Sequence, residues 1–129
     1  ILAWEPSIVL AAGPPLYLPA LRERDREEAF GNAVRLARAV ETVILDHHLM
    51  RSTEGERWLD DVSAEAGRHV YCAADYMGQP RQLLEARREE LYRAMPVPAD
   101  WHARYVLGET SVEPYTEATL LKVIDETAA

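Results

Sequence analysis

Thr42-Val43-Ile44-Leu45-Asp46-His47-His48 is the stretch whose reading decides the fold. A β-branched, apolar run ends abruptly in three side chains able to ligate a metal. Short continuous hydrophobic runs mark strands of an α/β sheet, where helices cover both faces. Ligands of such sheets gather at the carboxyl ends of the strands. Asp46, His47 and His48 fall at that end. No other two of the four histidines are adjacent, so this pair is the candidate site.

Upstream, residues 7–12 read as another buried-type strand, entered through Pro6. Gly13-Pro14-Pro15 stops it with a stiff loop, either a simple strand stop or a substrate-facing wall. Between the two strands, Ala29, Ala33, Leu36, Ala37 and Val40 recur at spacings of three and four, which predicts a helix over 25–40. The charge run at 22–28 reads as its solvated start. Strand, helix, strand at this spacing is a βαβ unit with a right-handed crossover.

Downstream, Ser52 or Thr53 caps a helix to Ala66, with Gly67 as its stop and Trp58, Leu59 and Val62 as its buried stripe. Residues 69–72 predict a third short strand. His69 reads as a strand-edge histidine, and Cys72 as a small core residue, since nothing local would lower its pKa. Residues 82–94 predict a helix that Met95-Pro96-Val97-Pro98 breaks. The expected order over 7–94 is βαβαβα. Residues 96–129 read as an irregular extension, with Trp101, Tyr105 and Val106 packing back on the body and a possible last helix over 117–125.

The length of 129 residues suits one small domain, or half of a larger one. The chain opens Ile1-Leu2-Ala3-Trp4, which raises the expectation of a fragment or processed product. No run approaches the ~18 apolar residues of a membrane span, so no membrane role is expected. A net charge of −8 argues against nonspecific binding to nucleic acid, which wants a basic surface. The single cysteine cannot form an internal disulfide, in keeping with a reducing, cytoplasmic setting. The sequence holds no Gly-rich phosphate loop, no CxxC pair and no Gly-x-Ser-x-Gly elbow.

Imidazole nitrogen and carboxylate oxygen suit zinc, manganese and iron. Adjacent histidines on an extended segment point to opposite sides, so one is expected to bind the ion while the other stabilises it, meets substrate or packs. The alternative is a hydrogen-bonded structural cluster. Asp46 is a nearby acceptor for the far ring nitrogen of a ligating histidine. Arg51 suits an anionic substrate, because guanidinium pairs well with phosphate, though a surface arginine at a helix start is the bland alternative.

The Gly13-Pro14-Pro15-Leu16-Tyr17-Leu18 loop, the Leu45-Asp46-His47-His48-Leu49-Met50-Arg51 segment, and Ala73-Ala74-Asp75-Tyr76-Met77-Gly78 followed by Leu83-Leu84-Glu85-Ala86-Arg87-Arg88 occur in one order. That order resembles the carboxyl-terminal part of an uncharacterised, mainly archaeal branch of the metallo-β-lactamase-fold hydrolases. The resemblance implies an α/β fold in which residues 1–95 are the C-terminal half of an αββα sandwich. It also implies one or two metal ions, commonly zinc with manganese or iron as alternatives, activating water for hydrolysis of a small-molecule or phosphodiester substrate. The hallmark His-x-His-x-Asp-His of that superfamily is not in this sequence, so a missing N-terminal half is the implied partner. Nuclease members end a strand in a Leu-Thr-His-Phe-Ser-like motif that lines up with Leu45-Asp46-His47-His48. By resemblance, His47 is then the metal ligand and His48 comes second; with the residue chemistry above, Asp46 and His48 are read as the catalytic neighbours, and Gly13, Pro14, Pro15 and Arg51 as substrate-side. The DHH phosphoesterases, which bind manganese, also end a strand in Asp-His-His. They carry an upstream Asp-x-Asp and usually a Gly-rich segment near a later histidine, and this chain shows neither. A third reading is a structural or interaction half-domain without chemistry.

Overall fold

The β-branched run does form a strand, and it lies between two neighbours. In the computed structural model, which describes residues 1–115, β1 (Ile8–Ala11) pairs in parallel with β2 (Thr42–Leu45), and Val9 faces Val43 in the register. On its other side β2 makes a parallel bridge from Ile44 to Tyr71. The Tyr71 N–H donates to the Val43 carbonyl at 3.0 Å, and the Leu45 N–H to the Tyr71 carbonyl at 2.8 Å. The third strand expected over 69–72 is thus a single bridge. Cys72 already serves as the N-cap of the next helix, so the backbone leaves the sheet after one residue.

Helix α1 (Glu23–Ala39) connects β1 to β2, and α2 (Thr53–Ala66) follows β2. Gly67 closes α2 in the left-handed region at φ 67°, with its N–H and that of Arg68 returning to the Ala64 and Ser63 carbonyls. Strands added in one direction with right-handed crossovers put successive helices on the same face of a sheet. The core agrees. Val9, Val43 and Leu45 share one buried cluster with Ala33, Val34 and Ala37 of α1 and Leu59 and Val62 of α2. Val34 is a core residue that the spacing argument omitted.

The expectation that the strand over 7–12 is buried on both faces is therefore corrected. Alternation turns Ile8 and Leu10 away from the helices, and they are 53% and 72% exposed. Among the described residues this face of β1 has no cover.

The helix expected over 82–94 is also shorter. Leu83 has a φ of 47°, outside the helical region, and α4 is only Arg88–Ala94. The left-handed turn is held because the Leu83 side chain packs against the core, and that burial opposes the ~1 kcal/mol or more such a conformation costs a branched residue. Between them, α3 (Ala73–Tyr76) is a single turn.

The chain divides into two compact units, Ile1–Ala86 and Arg87–Ala129. In the second, α5 (Trp101–Val106) stacks Trp101 on Tyr105 with ring centroids 5.0 Å apart, while Val106 is exposed. The helix expected over 117–125 lies outside the described residues.

Two glycines of the first unit carry different duties. A Cβ on Gly55 would lie 1.9 Å from the Leu49 carbonyl oxygen, whereas one on Gly31 would meet nothing within 4 Å. Gly55→Ala is expected to destabilise the fold by ~3 kcal/mol or more, because backbone must move. Gly31→Ala, in the exposed interior of α1, is expected to stabilise by ~0.5–1 kcal/mol. Chemical denaturation of both variants checks the pair.

Candidate functional site

Past Leu45 the chain does not stay extended. The Asp46 N–H still reaches the Ala11 carbonyl at 3.0 Å, but the Asp46 carbonyl then accepts from Leu49 at 2.7 Å and starts a turn of 3-10 helix, Leu49–Arg51. Residues 46–48 thus sit at the carboxyl end of an interior parallel strand. Because His47 and His48 lie on a turn, their rings do not point to opposite sides. The centroids are 4.6 Å apart.

Their surroundings differ all the same. His47 is exposed and lines a cleft of about 340 Å³ together with Asp46, Met50, Arg51, Cys72 and Leu83. His48 is half-buried and does not line it. Its Nδ1 lies 3.4 Å from the Tyr17 hydroxyl, which also accepts a 3.4 Å hydrogen bond from Arg51 Nη1. Tyr17 was not among the residues the sequence singled out, and no local pattern distinguishes it from a surface tyrosine.

Asp46 is engaged elsewhere than expected. Its Oδ2 accepts from the Ala73 N–H at 2.6 Å, joining the end of β2 to the start of α3. No hydrogen bond links it to His47 among the described residues, so the orienting role expected of it is not what its geometry supplies.

The Gly13-Pro14-Pro15 loop lies behind the turn and does not line this cleft. Gly13 has φ 71°, and a Cβ there would stand 2.7 Å from Leu49 Cβ. The loop also sends Leu16 into the core, where the Leu16 carbonyl accepts from Arg26 Nη2 at 2.7 Å.

One wall of the cleft is an ion-pair clamp that the sequence did not announce. Arg81 grips Asp75 with two hydrogen bonds, Nε to Oδ1 at 2.9 Å and Nη2 to Oδ2 at 2.8 Å, and reaches Asp60 at 3.2 Å. Asp75 in turn accepts from the Cys72 N–H, while its own N–H donates to Cys72 Sγ, a capping box closing α3. The Arg81 guanidinium holds the Asp75 carboxyl down at about 2. Cys72 is buried in the core, and that burial pushes its thiol pKa up.

Among the described residues, no three His, Cys, Asp or Glu side chains come together as a metal-holding group, and no helix is long and apolar enough to cross a membrane.

The chain is 50% identical to a UPF0282 protein of Methanosarcina mazei over 115 residues, 89% of this chain and 38% of that protein. It is 40% identical to one of Methanopyrus kandleri over 93 residues, 70% of this chain and 31% of that protein. A Saccharolobus solfataricus protein of the same name is 35% identical over 100 residues, 73% of this chain and 32% of its own length. These three relatives are named UPF0282 proteins and come from archaea. The chain spans about a third of the length of these UPF0282 relatives. No family model matches it. No solved structure matches it either.

The clamp makes a pH prediction. Asp75 has a folded pKa of about 2 against an ordinary 3.8, so its contribution is complete above the ordinary value and is lost as pH falls toward 2. Asp75→Asn is expected to cost ~1–2 kcal/mol at pH 7 and little at pH 2. Denaturation of wild type and variant at the two pH values measures the convergence.

Proposed function

We propose that this chain is part of a metal-dependent hydrolase, zinc being the favoured ion, and that it supplies one half of an αββα sandwich of the metallo-β-lactamase kind. The observation that carries the reading is the uncovered apolar face of β1. Helices α1 and α2 share a core with one face of the strands, the outer face of β1 presents Ile8 and Leu10 to solvent while Ile44 of β2 on that face is buried, and His47 stands at the carboxyl edge. A sheet of this form is completed when a second sheet covers the apolar face, and the uncovered remainder of the UPF0282 relatives is long enough to provide one.

Within this half His47 is the metal ligand, open to the cleft. His48, half-buried beside it, acts on the substrate side. Asp46 holds the end of β2 to the start of α3 and so fixes the backbone that carries both histidines. One imidazole, and a carboxylate with one oxygen already bonded, fall short of the three protein ligands of a catalytic zinc. The further ligands would come from the other half.

Metal content of a full-length protein carrying this segment tests the reading. His47→Ala is expected to abolish stoichiometric zinc, while His48→Ala lowers affinity by roughly 10–100-fold, the size of a supporting effect. Equal metal retention in both variants would remove the histidine pair from the site. The 129-residue chain alone is expected to bind zinc weakly and to turn over neither a phosphodiester nor a lactone. Tight stoichiometric binding with turnover would overturn the half-domain assignment.

A further inference from the structure

The half-buried arginines of the first unit differ in what answers their charge. Arg26 pairs with Glu54 at 2.7 Å, and Arg81 with Asp75 at 2.8 Å. Arg51 is also half-buried and lines the cleft, yet among the described residues no carboxylate pairs with it. Among the described residues its guanidinium makes one hydrogen bond, to the Tyr17 hydroxyl across 3.4 Å. A guanidinium carries five N–H donors, so most of this one's hydrogen-bonding capacity is unspent. Its bond to Tyr17 is exposed to solvent, so an anion at this place would replace water on donors that are otherwise unspent.

The surroundings suit that anion. Tyr17, from the loop after β1, and His48 and Arg51, from the turn after β2, meet at the ends of two adjacent parallel strands. Both hydrogen bonds among them are 3.4 Å, longer than the usual 2.7–3.2 Å, which leaves these donors able to turn toward a ligand. A planar carboxylate is satisfied by the fork of a single arginine. Three donors on three side chains match the several terminal oxygens of a tetrahedral oxyanion.

We propose that Tyr17, His48 and Arg51 form a seat for a phosphoryl group, placed beside His47 so that a phosphate-bearing substrate is the class this site takes. That last clause rests on the hydrolase reading; the seat itself does not.

The test is an NMR titration of the metal-free protein, in the presence of a chelator, with inorganic phosphate and, separately, acetate. Saturable shifts of the Tyr17 and His48 signals are expected with phosphate and not with acetate. Arg51→Ala is expected to weaken phosphate binding by about tenfold or more, as for loss of a hydrogen bond to a charged group, and Tyr17→Phe by a smaller factor. Arg57→Ala, an exposed arginine of α2, is expected to leave it unchanged. Arg51→Lys keeps the charge but not the fork, so it too should weaken binding, and it decides the matter if Arg51→Ala does not fold. Unsaturable shifts, acetate binding as tight as phosphate, or full phosphate affinity in both Arg51 variants would overturn the seat. Because no metal is present, loss of zinc in His47→Ala bears only on the hydrolase reading, and loss of phosphate in Arg51→Ala only on this one.

Discussion

Leu49 is fully buried between two glycines, and the rest of the site depends on that fit. Gly13 leaves room for its side chain and Gly55 for its carbonyl. With either Cβ present, the turn that follows β2 would be pushed off the loop and off α2. The Leu49 N–H is drawn in at the same time by the Ala12 and Asp46 carbonyls. His47 and His48 immediately precede this anchored residue. Their separation into one ring at the cleft and one beside Tyr17 follows from a backbone with little freedom to rotate.

The sheet adds a second constraint of a simpler kind. Crossovers of one hand, running in one direction, stack both long helices on one side. An apolar strand such as β1 then has one face in the core and one without cover. Exposed Ile8 and Leu10 are the direct result. Those two side chains are the observation on which the proposed second layer rests.

Arginine does more here than solvate a surface. Arg26 bonds the Leu16 carbonyl, Arg38 the Glu65 carbonyl at the end of α2, and Arg68 the Glu41 carbonyl ahead of β2. Each ties a loop or helix end to a neighbouring element. The charge run at 22–28 looked like a solvated helix start, and for Arg22 and Asp25, an exposed pair one turn apart, it is. For Arg26 it is not, because its partners Leu16 and Glu54 lie far off in sequence.

The sequence by itself determined the elements whose signals are local. The β-branched run of β2, the apolar spacing of α1, and the glycine stop of α2 all appear where their periodicity and capping chemistry put them, and Asp46, His47 and His48 fall at the strand end as a consequence. Tertiary structure decided whatever depends on residues distant in the chain. Leu83 turns left-handed because the core takes its side chain, and that cuts the expected helix to Arg88–Ala94. Asp46 serves the Ala73 N–H, and the Gly13-Pro14-Pro15 loop faces Leu49 rather than the cleft. Tyr17 meets Arg51 across 34 positions of sequence. Periodicity reports how a segment faces its own core, and it holds no information about which distant side chain will arrive beside it.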